Sequence, residues 1–175
     1  MNKHETAIPI ILPSIDGGEF DTSKLIGKKY LISFFRFATC PFCNLRVHEL
    51  VKRNMDFGSN FTIAAIFDSS IENLKKHTSK HNAPFAILAD ETNKYYKLYG
   101  VKKSFWGMIN GMVKRFPTLM KSIILHGNIP LPINGSLITM PAEFLVNEKG
   151  EIAKSYYGRD EGDHLPLDEI IEFSK

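Results

Sequence analysis

The chain has 175 residues, of which 43% are hydrophobic and 23% charged, and its formal net charge is +3. That length suits one domain around one core, and the mild charge, with lysines spread rather than clustered among aromatics, argues against a nucleic-acid partner. No run of about 18 apolar residues occurs, and the start Met1-Asn2-Lys3-His4-Glu5 lacks a basic-then-apolar leader, so the expectation is a cytoplasmic protein with no membrane span.

In chain order, Asp16-Gly17-Gly18 is a turn signal between two short strands in the Ile8 to Phe20 stretch. Tyr30 to Phe35 is aromatic and β-branched, as a central buried strand requires. Cys40 and Cys43 follow at once. Beyond them Leu45, Val47, Leu50, Val51 and Met55 fall at helical spacing, with Pro41 suited to the first helical position and Gly58 as the latest end. Phe61 to Phe67 reads as a second buried strand, and Asp68-Ser69-Ser70 as the cap of a helix reaching His81. Ala86 to Ala89 is a third strand, and Asn93 to Tyr99 a helix ending at Gly100. Phe144 to Val146 and Ile152 to Tyr156 form a hairpin around Asn147-Glu148-Lys149-Gly150, and Leu167 to Phe173 closes the chain as a helix.

Strands that alternate with helices predict an α/β fold with a central mixed sheet, one domain over residues 1–175. The stretch from 102 to 137 breaks that rhythm and reads as an insertion. Within it Phe105, Ile109, Met112, Phe116, Leu119 and Ile123 recur every three or four residues, which predicts an amphipathic helix interrupted at Pro117. Packing of that stripe on the core is the first expectation, a dimer face or a lid the second. Adsorption to a membrane surface through nearby Lys102, Lys103, Lys114, Arg115 and Lys121 is the least favoured.

The chain has two cysteines. A bridge across so short a loop removes little chain entropy, so their use is chemical rather than structural. A Cys-x-x-Cys that follows a buried strand and opens a helix puts Cys40 where unpaired N–H groups and the helix dipole favour a thiolate. Cys40 is therefore expected to have a lowered pKa and some exposure. Cys43, one turn on, is expected to be more buried and to attack a mixed disulfide on Cys40. Arg36 and Arg46 are near enough in sequence to add positive potential. A zinc site needs four ligands and the chain has no second cysteine pair, so no metal and no other cofactor is expected. His77 and His81 read as a solvated helix face, and Arg159-Asp160 as a local ion pair.

The run Phe34-Phe35-Arg36-Phe37-Ala38-Thr39-Cys40-Pro41-Phe42-Cys43-Asn44-Leu45-Arg46 resembles the active-site stretch of thioredoxin-fold proteins. Ile11-Leu12-Pro13, Gly27-Lys28, Met140 to Val146, Gly150, Tyr157-Gly158-Arg159-Asp160 and Gly162-Asp163-His164 extend the similarity. Together they resemble the peroxiredoxin-like branch of the alkyl hydroperoxide reductase/thiol-specific antioxidant family. The resemblance implies a thioredoxin-like fold and makes Pro141 a cis proline beside the dithiol. It also implies that Met140 and Pro141 position substrate, Met140 by offering backbone to a bound thiol or peptide.

Two departures bear on activity. Relatives carry Thr three residues before the peroxide-attacking cysteine, where this chain has Phe37 if Cys40 attacks or Cys40 itself if Cys43 does, and Arg where it has Pro141. The leading expectation is thus a thiol–disulfide oxidoreductase with a redox-active Cys40–Cys43 pair, reset by a thioredoxin-type protein or glutathione. The alternatives are a peroxiredoxin-type peroxidase and a non-enzymatic, partner-binding member of the fold. A homodimer is compatible with either.

Overall fold

The computed structural model describes residues 1–126 and 135–175; part of the expected insertion, 127–134, lies outside the described residues. Strands β1 (Ile11–Pro13) and β2 (Glu19–Asp21) form an antiparallel hairpin. Gly17 and Gly18 turn it with φ of 97° and 73°, a conformation that only glycine adopts at no cost. The main sheet contains β3 (Lys29–Phe34), β4 (Phe61–Phe67), β5 (Ala86–Ala89), β6 (Ala142–Val146) and β7 (Ile152–Tyr157). Their order is β5-β4-β3-β6-β7. The β3, β4 and β5 strands are parallel; β6 runs antiparallel to β3, and β7 antiparallel to β6, so β6 alone opposes the other four.

β3 sits at the centre because both its faces are apolar. Tyr30, Ile32 and Phe34 point to one face, where they meet Tyr96, Tyr99, Phe144 and Val146. Leu31 and, just past the strand, Phe35 point to the other, beneath Val47 and Leu50 of α1 (Pro41–Lys52). The helices α2 (Ile71–Thr78), α3 (Lys94–Leu98) and α6 (Leu167–Ser174) complete the layers. α1 is shorter than its apolar spacing predicts. It ends at Lys52, a 3₁₀ turn follows, and Met55 is 91% exposed rather than part of the buried stripe.

The stretch after α3 departs further from expectation. It forms two helices, α4 (Phe105–Lys114) and α5 (Phe116–His126), with the break at Arg115 and Pro117 in the first turn of α5, where proline is tolerated. The expected packing of the apolar stripe on the core is not found for α4. Its buried positions are Gly107 and Gly111, and Phe105, Ile109 and Met112 face solvent, as does Phe116 at the start of α5. The physical reason is close approach. A Cβ at Gly107 would meet the Arg159 carbonyl oxygen at 2.7 Å and Met140 Sδ at 2.8 Å, and one at Gly111 would run into the Glu161 carboxylate. The glycine face therefore fits the body, and the bulky side chains are turned outward. α5 does pack inward: Leu119 touches the core, and Ser122 Oγ donates to the Pro41 carbonyl of α1 at 3.0 Å.

Candidate active site

β3 delivers the chain to the sheet's edge, and residues 35–40 lead it into α1. The Phe35 N–H donates to the Ile66 carbonyl and the Asp68 N–H to the Arg36 carbonyl, so the loop continues the β3–β4 pairing before it turns. Cys40 is the N-cap of α1 with extended backbone (φ −61°, ψ 120°), and Pro41 takes the first helical position, where its missing N–H costs no hydrogen bond. Asn44 fixes the loop from one turn inside the helix. Its Nδ2 donates to the carbonyls of Ala38 (2.8 Å) and Cys40 (2.9 Å), and its Oδ1 lies 2.7 Å from His81 Nε2. His81 is therefore tied to the dithiol loop and is not part of a solvated face.

Both cysteines are free thiols, and both are buried. Cys40 has no exposed surface, which corrects the expectation of an exposed attacking sulfur. Phe37, Phe42 and Leu165 belong to the same buried apolar cluster as the pair. Burial by itself raises a thiol pKa. At Cys40 the Cys43 thiol, the Arg36 charge and the N–H groups of Cys43 and Phe42 outweigh it and bring the value down to about 7. At Cys43 burial and the neighbouring Cys40 sulfur act together and push it well up, although the Arg36 N–H donates to its sulfur at 3.3 Å. The pair is thus differentiated: one sulfur is poised as thiolate at neutral pH, the other is held as thiol.

Met140 and Pro141 are buried at the entry to β6. Since Ala142 pairs with Phe34, they lie at the same sheet end as the dithiol loop. The Met140 N–H donates to the Lys102 carbonyl at 2.9 Å, so the expected open backbone donor is already used by the chain just before α4. Arg36 carries the positive potential expected near the sulfurs, with its guanidinium over the Phe37 ring at 5.3 Å. Arg46 does not. Its Nη2 reaches Glu143 Oε1 at 3.3 Å and the Leu165 carbonyl at 2.7 Å. Asp160 pairs with Arg115 at 2.7 Å rather than with Arg159, whose N–H donates to Asp163.

Two buried acids had escaped the sequence reading. Glu143 on β6 accepts from Ser33 Oγ (3.1 Å), Arg46 and the Leu165 N–H (2.6 Å), and its Oε1 lies 3.3 Å from His164 Nδ1. Burial raises its pKa, but Arg46, His164 and the Leu165 N–H overcome that and hold it at about 2. Glu161 is buried with neither carboxyl oxygen hydrogen-bonded among the described residues, and burial raises its pKa. Neither acid has a local signature, because their partners come from distant parts of the chain.

Solved structures share this architecture. Peroxiredoxin 6 of Arenicola marina superposes with a TM-score of 0.73 at 13% identity, covering 98% of this chain and 70% of that one. Peroxidoxin BcpB from Mycobacterium tuberculosis gives 0.69 at 12% identity, covering 99% and 96%. A putative thiol:disulfide interchange protein DsbE from Chlorobium tepidum gives 0.59 at 17% identity, covering 90% and 86%. At such identities these likenesses establish the thioredoxin-like fold. In sequence the chain is 26% identical over 117 residues to the chloroplastic peroxiredoxin Q of Sedum lineare, a match that spans 63% of this chain and 60% of that protein's length. The family model described as AhpC/TSA family matches residues 4–155, from the N-terminal segment through the dithiol to β7, and the chain belongs to that family.

Proposed function

We propose that the protein is a thiol–disulfide oxidoreductase in which Cys40 attacks and Cys43 resolves. The observation that carries this reading is the placement of the pair, Cys40 as the N-cap of α1 and Cys43 one turn inside it beside Arg36, and the opposite directions in which the two thiol pKa values are pushed agree with it. In the first step the Cys40 thiolate attacks one sulfur of a disulfide, forms a mixed disulfide and expels the other sulfur as a thiolate. The Cys43 thiol then attacks the Cys40 sulfur, its proton passing to the departing substrate sulfur. That releases the second substrate sulfur as a thiol and leaves a Cys40–Cys43 disulfide. A thioredoxin-type dithiol or two glutathione molecules restore the pair by the reverse exchange. Met140 and Pro141 border the site, at the sheet end where Ala142 pairs with Phe34.

A second reading is supported by family membership and by the similarity to a peroxiredoxin Q. In it the Cys40 thiolate takes the terminal oxygen of a peroxide, becomes a sulfenic acid and releases an alcohol or water. Cys43 then condenses with it, with loss of water. Phe37, where relatives carry a peroxide-orienting Thr, favours disulfide exchange.

The test is insulin-disulfide reduction beside stopped-flow mixing with hydrogen peroxide and an alkyl peroxide. Cys40→Ser is expected to abolish turnover, and Cys43→Ser to trap a mixed disulfide detectable by mass spectrometry. Full activity of Cys40→Ser overturns the assignment. Sulfenate forming faster than in a small free thiol selects the peroxidase reading.

A further inference from the structure

The outward pole of α4 is apolar where a surface helix is ordinarily polar. Phe105, Trp106, Ile109, Met112 and Val113 are all exposed, Trp106 by 78% and Val113 by 73%. At 3.6 residues per turn they share an arc of about 120°. Phe116, Met120 and Ile124 of α5 are exposed as well. The arrangement is forced by the glycine face that α4 presents to the body, so no rotation of this helix hides the bulky side chains without separating it from Met140, Arg159 and Glu161.

The charge around this face has one sign along the chain. Between Glu91 and Glu143 there is no Asp or Glu, while Lys94, Lys97, Lys102, Lys103, Lys114, Arg115 and Lys121 fall in the interval. Lys102 and Lys103 precede α4 and Lys114 ends it, so cations stand at both ends of the apolar helix; Lys102 lies over the Tyr157 ring and Arg115 is paired with Asp160. A shallow depression beside Trp106 is lined by Ile109, Asn110, Val113 and Arg159, apolar surface next to a guanidinium. Of the nearby acids, Asp160 is engaged with Arg115, Asp163 with Tyr156 and the Arg159 N–H, and Glu161 is buried against Gly111 on the side of α4 away from the apolar arc.

We propose that the α4–α5 face docks on an anionic lipid surface, with the apolar arc entering the acyl boundary and the flanking lysines meeting the headgroups. An aromatic and aliphatic face edged by cations is the composition that interfacial helices use. A second copy of this chain fits less well, because it would bring the same cations against one another. No helix among the described residues is long and apolar enough to cross a membrane, so the contact is peripheral.

Trp106 is the chain's single tryptophan, and its fluorescence reports on this face alone. The full chain is mixed with vesicles of equal parts phosphatidylglycerol and phosphatidylcholine, or of phosphatidylcholine alone. The expected result is flotation with the anionic vesicles and several-fold less with the neutral ones. Trp106 is expected to be quenched by brominated acyl chains, and binding to weaken as salt is raised. The double variant W106S/V113S, which alters exposed side chains and is checked by its thermal melt, is expected to lose partitioning by about tenfold. Each of the following overturns the proposal: no flotation, equal flotation with both vesicle types, flotation without quenching of Trp106, or a lipid-free dimer in which Trp106 emission is already shifted to the blue.

Discussion

Cys40 and Cys43 are three residues apart in one helix start, and their surroundings drive them in opposite directions. The separation rests on groups that can be removed one at a time. Arg36 is the full charge that favours the Cys40 thiolate, and it acts in a site from which water is excluded. A pH titration of thiolate absorbance is expected to show a midpoint near 7 for Cys40. A lowered pKa means that the thiolate persists down to that midpoint and is lost as pH falls through it. Arg36→Met is expected to raise the midpoint by about one unit; an unchanged midpoint would assign the shift to the helix start and the Cys43 thiol instead. The dithiol itself was legible in the sequence, because strand, cysteine pair and helix are contiguous. Asn44 as the brace of the loop and Glu143 as a buried ionic centre were not. Asn44 bonds the Ala38 and Cys40 carbonyls with its amide nitrogen while its oxygen meets His81, and Glu143 gathers Ser33, Arg46 and His164, meetings with distant residues that exist only after folding.

Among the elements, strands β3 to β7 match their predicted segments to within two residues, since each is a short apolar run bounded by turn residues. α4 shows where periodicity fails. A three-and-four spacing finds an apolar stripe, but it does not say which way the stripe faces. The glycines at 107 and 111 share the opposite side and decide the question by allowing closer approach. Gly58 decides a smaller matter in the same manner. Its N–H donates to Ser174 Oγ, and an added methyl would run into the Ser174 carbonyl, which is backbone and cannot swing aside. Gly58→Ala is expected to cost about 1–3 kcal/mol in urea unfolding and to speed hydrogen exchange in α6. A variant as stable as the wild type would mean that the end of α6 can move away freely.

For the whole molecule, the order of strands and helices was legible and identified the fold class, whereas the ionic centre beneath α1 is a property of the assembled sheet. Glu143 joins β6 to α1 through Arg46, to β3 through Ser33 and to the segment before α6 through Leu165. Its folded pKa of about 2 lies below the ordinary 4.5. Its contribution to stability is therefore complete above about pH 4.5 and decays as pH falls toward 2. Urea midpoints of the wild type are expected to drop across that window. Glu143→Gln is expected to flatten the drop and to cost about 3–5 kcal/mol at neutral pH, because Arg46 is left buried beside a neutral amide. An acid profile unaltered by the substitution would remove Glu143 as its source.

The burial of both cysteines, in one apolar cluster with Phe37, Phe42 and Leu165, has a kinetic consequence. In the exchange proposed above, a reactant reaches Cys40 only when the groups that bury it move aside, and the Asn44 bonds to Ala38 and Cys40 act as a latch on that movement. Turnover is then gated: at high reactant concentration its ceiling is the opening rate of the loop, whatever the intrinsic nucleophilicity of the thiolate. On that reading bulky disulfides, which need a wider opening, are expected to be slowed more than small ones, the latch working as a size filter placed ahead of the chemistry.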